Sequence, residues 1–333
     1  MNYRIMLCSS IVTLVIAVLF SGCMTSEKPY QQTAFALDTV IDITANGRNA
    51  ESAVTSAIQE MTRLESLLSN YREDSEISAI NRNAGGKAVP ISLETEQVLR
   101  QALRYATVTK GAFDPTIGPI VELWGIGKKG EFIPSDEQIA AALKYVDYHR
   151  LELDEQQHTA RLKDKGMSID VGGVAKGYIL DRMEAILKNQ GIQSALINGG
   201  GDIRAIGQKP DGSPWRIGLQ DSRQTDGIAA KISLTKWDDI ETSGDYQRFF
   251  DHDGVRYHHI FDPKTGKPTH TMSSASTVLR EDRDDIPSNV LMVLGKEQSL
   301  ELLQQFPGIE AIFIDYNGTV SYTPGLTDSI EIR

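Results

Sequence analysis

Short strand-like segments scattered among helical ones constrain the fold of this chain most. Residues 215–219 (WRIGL) and 229–234 (AAKISL) are rich in strand-forming residues and close in sequence, which favours an antiparallel pair. Similar short strand signals occur at residues 39–44, 195–198, 276–279 and 310–315. Strands of this kind, mixed with helices and without an internal repeat, predict an α+β fold of mixed or antiparallel sheets with packed helices, rather than a doubly wound parallel sheet.

Three segments carry helix signals. Residues 50–69 place apolar side chains at helical spacing, namely Val54, Ile58, Met61, Leu64 and Leu68. Ser135 followed by Gln138 predicts a capping box at the start of a second helix. Residues 176–191 predict a third helix, which Gly191 would close.

The composition is that of a globular protein with one large core. The chain has 333 residues, of which 40% are apolar, and its formal net charge is −11 without any basic run. An acidic chain of this kind has no surface suited to a phosphate backbone, so nucleic acid is not an expected partner. Since no Gly-, Ser- or Pro-rich linker interrupts it, we expect one domain over residues 34–325 and a tail over 326–333.

The N-terminus has the pattern of a targeting segment. Arg4 precedes an apolar stretch at residues 11–20 that is short for a membrane span, and Ser21-Gly22-Cys23 follows. This resembles a bacterial lipoprotein signal, so we expect a signal peptide over residues 1–22 and a lipidated tether over 23–33, anchored to the membrane of the cell envelope through Cys23. An uncleaved anchor helix is the alternative. Loss of Cys8 and modification of Cys23 would leave no disulfide.

Two glycine-rich segments follow predicted strands. Residues 167–181 (MSIDVGGVAKGYILD) run from a strand through Asp170 and two glycines into a helix, so a ligand can approach the backbone closely. Residues 198–207 (NGGGDIRAIG) place three glycines in a row after another strand. The GIGKKG at residues 125–130 matches a dinucleotide fingerprint only by letter, because EFIP follows it instead of a helix.

Two further segments remain open when read alone. Residues 111–125 (GAFDPTIGPIVELWG) are too broken for a regular element and too apolar for a solvated loop, and Asp114 before a proline is typical of a turn. His258 and His259 are adjacent, so on a strand they point to opposite faces and only one can enter a given site. A metal site that uses both histidines is therefore not expected.

Seven blocks together are similar to the ApbE family of FAD:protein FMN transferases. They are SNYREDSEISAIN, GAFDPTIGPIVELWG, IDVGGVAKGY, NGGGDI, KPDGSPWRIGLQD, TSGDYQRFF and HHIFDPKTGKP, and they occur in the family's order over residues 34–325. The resemblance implies a T-fold-related flavin transferase domain. It also implies Mg²⁺-dependent transfer of FMN from FAD to a Thr or Ser of an acceptor flavoprotein of a membrane redox complex, with release of AMP. An FAD pyrophosphatase and a non-catalytic flavin-binding lipoprotein are the alternatives.

The resemblance also implies a set of site residues. His259 would be the catalytic base, with an imidazole pKa near 6.5, about half to mostly neutral at the pH of the cell envelope. The positions that match FAD contacts are Tyr71, Ala112, Phe113, Asp114, Asp170, Lys176 and Ile260. Lys176 would offset the acidic surface near the substrate. Leu37 and Asp38 stand where the family usually has Met and often has Gly, and they are left out of the site.

The expected magnesium ligands follow a family pattern that resembles A-D-A-x-x-T. Residues 284–295 read DDIPSNVLMVLG, so Asp285 takes the Asp position and Asn289 the Thr position, with Ser288 beside it and a backbone carbonyl from Gly173. Oxygen ligands of this kind suit Mg²⁺. Asp284 is the alternative carboxylate if the register shifts by one residue.

Overall fold

The computed structural model describes residues 28–127, 130–224, 227–280 and 285–333. The strands of this part are, in chain order, β1 (Tyr30–Ala36), β2 (Thr39–Asn46), β3 (Val89–Pro90), β4 (Leu151–Asp154), β5 (Thr159–Leu162), β6 (Ser194–Gly199), β7 (Asp202–Ile206), β8 (Trp215–Gln220), β9 (Ile228–Leu234), β10 (Asp239–Gly244), β11 (Phe249–His252), β12 (Val255–His258), β13 (Phe261–Asp262), β14 (Lys267–Pro268), β15 (Ser274–Leu279), β16 (Glu310–Ile314), β17 (Val320–Tyr322) and β18 (Ile330–Ile332).

The helices alternate with these strands. They are α1 (Ala50–Leu68), α2 (Glu76–Arg82), α3 (Leu93–Val108), α4 (Gly118–Trp124), α5 (Asp136–Leu143), α6 (Gly172–Asn189) and α7 (Ser288–Leu303). Within the described ranges, no helix combines the length and the hydrophobicity that a membrane span requires. The predicted signal peptide, Cys23 and Asp284 lie outside the described residues.

An eight-stranded antiparallel sheet forms the centre of the fold. Its strand order is β1-β2-β6-β7-β10-β15-β16-β17. Strand β2 shows why the sheet has one apolar face here: Ile41, Ile43 and Ala45 are buried, whereas Val40 and Asp42, on either side of Ile41, are exposed. Side chains that alternate in this way fix the register, because a slip of one residue would turn the apolar set toward water.

Helices cover one face of the central sheet and a small sheet covers the other. Helices α1 and α6 pack against each other, and Leu64 and Ile179 join Ile41 in the largest buried cluster. The three-stranded sheet β18-β9-β8 packs on the opposite face, where Ile232 meets Ile240 in a second cluster. These antiparallel sheets with packed helices confirm the α+β class.

Local sequence signals predicted most elements at the right place. The six strand predictions overlap strands, and the helix predicted at residues 50–69 is α1. Ser135 and Gln138 form the predicted capping box at the start of α5. Helix α6 begins earlier than predicted, at Gly172, and ends at Asn189 before Gly191, whose φ of +83° is left-handed.

The expectation of an irregular segment at residues 111–125 is wrong for its second half. Residues Gly118–Trp124 form helix α4, with Pro119 in its first turn, where the missing N–H has no intrahelical partner to lose. Gly125 ends the helix in a left-handed conformation with φ +57°. Trp124 holds α4 in place, because its Nε1 donates a hydrogen bond to the carbonyl oxygen of Gly266 at 2.8 Å.

Both ends of the expected domain differ from the boundaries drawn from the sequence. Strand β1 begins at Tyr30, inside the predicted tether, and pairs with β2 along its whole length. Strand β18 lies in the predicted tail over residues 326–333 and pairs with β9, which is about 100 residues away in sequence. The two strands were not predicted because polar residues interrupt the apolar pattern at each end of the chain. Edge strands tolerate such residues, since one side of the strand faces water.

Candidate functional site

A cavity of about 970 Å³ opens beside the N-terminus of α6. This volume is at the upper end of the range for small-molecule sites, roughly 300 to 1,000 Å³, and leaves room for a dinucleotide-sized ligand. The predicted site residues that line it are Tyr71, Ala112, Phe113, Asp114, Asp170, Gly173, Lys176, His259, Ile260, Ser288 and Asn289. Asp285 is not among the lining residues. The fold therefore gathers most of the predicted set, from distant parts of the chain, around one space.

The glycine turn before α6 forms one wall. Asp170 closes the turn, since its Oδ1 accepts a hydrogen bond from the amide of Gly172 at 2.8 Å. A Cβ at Gly173 would lie 2.8 Å from Nδ2 of Asn289 and 3.0 Å from the ring of Phe113. Glycine thus permits the close approach of Asn289 and Phe113 to α6, and the first turn of α6, where Asp170 holds the Gly172 amide, borders the cavity.

Lys176, one turn further along α6, is already paired. Its Nζ lies 2.8 Å from Oδ2 of Asp202, and Oδ1 of the same carboxylate accepts from the amide of Thr242 at 3.0 Å. The expectation that Lys176 offsets the acidic surroundings is therefore met only in part, because Asp202 neutralises most of its charge. Asp202 was missed, although it ends the NGGGD segment that the sequence analysis singled out.

Asp114 has the contacts of a turn residue. Its Oδ1 accepts from the amide and the hydroxyl of Thr116 at 2.8 and 2.6 Å, and its Oδ2 accepts from the amide of Tyr148 at 3.1 Å. Burial raises the pKa of this carboxyl, although these hydrogen bonds oppose the shift. The carboxylate fixes the path of residues 111–117, which brings Phe113 to the cavity wall.

The two adjacent histidines occupy different environments, as predicted. His258 is fully buried, with Nε2 at 2.6 Å from the carbonyl oxygen of Thr269 and Nδ1 accepting from the amide of Ile260 at 3.3 Å. These contacts require the neutral ring with the proton on Nε2. Burial lowers the pKa of His258 to about 4.

His259 faces the cavity. Its Nδ1 lies 3.3 Å from the carbonyl oxygen of Arg248. When Nδ1 donates to this carbonyl, Nε2 carries the free lone pair. Burial, followed by the nearby charge of Arg248, lowers the pKa of His259 to about 3, so the expected value near 6.5 is wrong. The imidazole is neutral throughout the physiological range.

The start of α7 carries Ser288 and Asn289, two of the predicted magnesium ligands. Oδ1 of Asn289 is buried and has no hydrogen-bond partner among the described residues. Ser288 Oγ lies 2.8 Å from Ser243 Oγ. Pro287 caps the helix with extended backbone angles, so it precedes the first turn and does not distort it. An unsatisfied amide oxygen on Asn289, whose side chain contacts Gly173, fits an oxygen-seeking cation.

Asp285 lies behind this wall. Its Oδ1 accepts from Nε2 of Gln101 at 2.8 Å and lies 3.9 Å from the guanidinium of Arg104. Burial raises the pKa of Asp285. Within the described ranges no cluster of three or more His, Cys, Asp or Glu side chains has the arrangement of a metal site. A cation at Asn289 would thus depend mainly on neutral oxygens and on few carboxylates.

Several cavity residues were missed by the sequence analysis. Leu37 and Asp38 form the turn between β1 and β2, line the cavity and have left-handed φ angles of +55° and +56°. Such angles are unfavourable for residues with a Cβ, and the amide of Leu37 is held by Oε1 of Glu65 at 2.7 Å. The expectation that Leu37 and Asp38 lie outside the site is therefore wrong, because both line the cavity.

Glu241 was also missed, because it gave no local signal. It lines the cavity, and its Oε1 accepts from Nη2 of the buried Arg204 at 2.9 Å. Burial raises its pKa to about 7, with Arg204 opposing the shift and Asp202 adding to it. Only the packing of β10 beside α6 brings this carboxylate to the cavity.

The chain is similar to known proteins over most of its length. The ApbE family model matches residues 37–313. An FAD:protein FMN transferase of Treponema pallidum (strain Nichols) is 32% identical over 330 residues, covering 93% of this chain and 91% of the relative. Another, of Klebsiella pneumoniae (strain 342), is 34% identical over 297 residues, covering 88% of this chain and 92% of the relative.

Solved structures agree with this match. The ApbE protein of Thermotoga maritima has a TM-score of 0.81 at 31% identity and covers 90% of this chain and 98% of its own. The flavin transferase ApbE of Vibrio cholerae has a TM-score of 0.77 at 27% identity and covers 91% and 99%. The seven sequence blocks, the cavity they enclose and these matches lead to one conclusion: the protein belongs to the ApbE family.

Proposed function

We propose that this protein is an FAD:protein FMN transferase that attaches FMN to a Ser or Thr side chain of an acceptor flavoprotein. The observation that carries the proposal is the cavity, which is large enough for a dinucleotide and has the neutral His259 at its wall. Family membership supports the reaction class, because relatives of about 30% identity carry this name.

The reaction balances without any oxidant or reductant. The acceptor hydroxyl oxygen bonds to the phosphorus of the FMN half, and the bond from that phosphorus to the bridging oxygen of the pyrophosphate breaks. The bridging oxygen leaves with AMP, and the acceptor proton moves to the base. The products are the phosphoester-linked FMN, AMP and one proton.

His259 is the proposed base. Its Nδ1 is directed to the carbonyl oxygen of Arg248, which leaves Nε2 as the acceptor for the hydroxyl proton. Since the pKa of His259 is about 3, the ring needs no prior deprotonation at neutral pH, although its low basicity limits the driving force for proton transfer. Proton transfer by a positioned side chain typically contributes about 10²- to 10⁴-fold in rate.

The cavity walls suit the two halves of FAD. Amides at the start of α6 border the cavity and favour phosphate oxygens. Tyr71 is half-exposed at the cavity wall, where an aromatic ligand can stack on its ring. We therefore propose that the flavin lies against Tyr71 and the pyrophosphate near Gly172 and Gly173.

Magnesium is the proposed cofactor. Asn289 Oδ1, the carbonyl of Gly173 and Ser288 would hold it with the carboxylate of Asp285, and the unsatisfied oxygen of Asn289 supports this assignment. Bound Mg²⁺ would neutralise negative charge on the pyrophosphate as the bond to AMP breaks. Gln101 and Arg104 would orient the carboxylate of Asp285.

One incubation tests the proposed reaction. The purified protein is mixed with FAD and Mg²⁺, with and without a candidate acceptor domain, and products are separated by mass spectrometry and chromatography. Covalent FMN on the acceptor together with AMP supports the proposal. Free FMN and AMP in both samples would indicate a pyrophosphatase, and unchanged FAD would indicate a binding protein without catalysis.

We also propose that the protein is anchored in the bacterial cell envelope through a lipid on Cys23, close to acceptors in membrane redox complexes. The sequence around Ser21-Gly22 supports this. Residues 24–29 would link the lipid directly to β1, which begins at Tyr30. A Cys23→Ser variant should leave the membrane fraction and keep transfer activity in solution. Continued membrane attachment of that variant would contradict the proposal.

A further inference from the structure

Arg248 is a cation of the cavity that has no acidic partner in the part of the chain that the structure describes. It precedes β11 and lines the cavity. Across the described residues, no Asp or Glu forms an ion pair with Arg248. Its guanidinium interacts with the phenol of Tyr71 and lowers the pKa of that group, against the larger opposing effect of burial.

The other two cations of the cavity wall are compensated. Arg72 forms an ion pair with Asp74 at 2.9 Å, and Lys176 forms one with Asp202 at 2.8 Å. The wall also carries further acidic residues, namely Asp38, Glu65, Asp114, Glu122, Asp170 and Glu241. In a chain of net charge −11, a guanidinium left without a carboxylate beside so many acids is available to an anionic ligand.

The structure holds Arg248 in place from both ends. Its carbonyl oxygen accepts from the amide of His259 at 3.2 Å and lies 3.3 Å from Nδ1 of the same residue. Its aliphatic stem passes over Gly127, where an added Cβ would lie 3.7 Å from Cδ of Arg248. Gly127 has a φ of +79° and belongs to the GIGKKG sequence. This glycine therefore contacts the side chain of Arg248 and is not part of a dinucleotide fingerprint.

This arrangement sets three groups in fixed relation. The carbonyl oxygen of Arg248 orients the imidazole of His259, and its guanidinium interacts with the phenol of Tyr71, which lines the proposed flavin site. The guanidinium thus lies near the space between the proposed flavin site at Tyr71 and the base His259. The pyrophosphate of a dinucleotide substrate, which carries its negative charge, would lie in this space. Arginine binds phosphate oxygens with strong, charge-assisted hydrogen bonds, often in pairs.

We propose that Arg248 is a substrate-binding residue whose guanidinium binds the pyrophosphate of FAD beside His259. The inference rests on the proposed function, since it names the substrate group that Arg248 recognises. The proposal assigns phosphate recognition to Arg248 rather than to Lys176, because Lys176 already forms an ion pair with Asp202. The affinity for flavins without a phosphate should therefore not depend on Arg248.

The test compares FAD with riboflavin as ligands of the whole protein, by quenching of flavin fluorescence at equilibrium. The variants are Arg248→Gln, Arg248→Lys and the control Arg72→Gln, which removes a cavity arginine that is already paired. Losing a hydrogen bond to a charged group should weaken FAD binding by about 10- to 100-fold in Arg248→Gln. Riboflavin binding should stay within about twofold, because no phosphate contact is lost.

Arg248→Lys should recover part of the affinity for FAD, since it restores the charge but not the planar fork. Arg72→Gln should bind both ligands like the wild type. Equal losses for FAD and riboflavin would overturn the proposal and make Arg248 a scaffold residue. Unchanged binding of both, with a raised KM for the acceptor, would also overturn it and place the acceptor at Arg248.

The two proposals fail in different ways. If the wild type binds FAD but transfers no FMN, the proposed function fails, while the comparison of FAD with riboflavin still decides the role of Arg248. If transfer occurs and Arg248→Gln binds FAD as tightly as the wild type, only the role of Arg248 fails.

Discussion

His258 and His259 are neighbours in the chain but face opposite environments. His258 Nε2 lies 2.6 Å from the buried carbonyl oxygen of Thr269, whereas His259 lines the cavity with Nδ1 at 3.3 Å from the carbonyl oxygen of Arg248. Both rings are neutral at physiological pH, because burial lowers both pKa values, to about 4 and about 3. The lowered pKa thus keeps His258 neutral in the core, and it keeps His259 neutral at the cavity, where the ring can accept a proton.

Replacing His259 should separate binding from transfer. We expect His259→Ala to lower the rate of FMN transfer by about 10²- to 10⁴-fold while the affinity for FAD changes little, since a general base acts mainly in the transition state. Stopped assays for covalent flavin and equilibrium binding of FAD measure the two effects. A wild-type rate profile with an inflection near pH 6.5 due to His259 would contradict its lowered pKa, because the base should be lost only as the pH falls toward about 3.

His258 should control stability in acid rather than catalysis. Its pKa is about 4 in the folded protein and near 6.5 when unfolded, so the unfolded chain binds more protons between these values. Stability therefore rises with pH across this window. We expect His258→Gln to remove about 1.4 kcal/mol of that dependence per pH unit. Urea denaturation at several pH values measures it, and an unchanged slope in the variant would contradict the assignment.

The contact of Gly173 with α7 should be sensitive to one added carbon. A Cβ at this position would lie 2.8 Å from Asn289 Nδ2 and 3.0 Å from the ring of Phe113, so these side chains must shift. We expect Gly173→Ala to weaken Mg²⁺-dependent transfer by at least about tenfold, as a shift of about 1 Å at a site does. Gly172→Ala is the control, since its Cβ meets only the carboxylate of Asp170, at 3.1 Å. Equal effects in both variants would argue against a ligand site at this contact.

The metal assignment predicts different outcomes for neighbouring residues. We expect Asp285→Asn to abolish transfer at low Mg²⁺ and to recover partly at high Mg²⁺, because ligand charge sets the affinity for this cation. Asn289→Thr should keep activity, since one neutral oxygen replaces another. Calorimetric titration with Mg²⁺ and activity at several Mg²⁺ concentrations measure both effects. If Asp284→Asn is the inactive variant instead, the register drawn from the sequence is off by one residue.

The sequence could predict those parts of the fold and site that depend on local pattern. Alternation along β2 and the capping box of Ser135 with Gln138 are properties of a few consecutive residues, and both are present in the structure. The different orientations of His258 and His259 agree with the expected alternation, although only His258 lies in β12 and His259 follows its end. The resemblance of seven blocks predicted the family, and all but one of the site residues it implied, Asp285 being the exception, line the cavity.

Tertiary structure alone decided which groups meet and what charge they carry. Asp114 is held by Tyr148, Lys176 by Asp202 and Asp285 by Gln101, and no local pattern encodes these partners. Chain ends with polar composition became strands because β2 and β9 offered unpaired edges. The pKa of His259 depends on burial and on the charge of Arg248, both of which arise only when the cavity closes around them. Sequence determines the chemical groups and the local elements, whereas pairings across the fold set the energies of those groups, because desolvation and Coulomb interactions depend on distance in space.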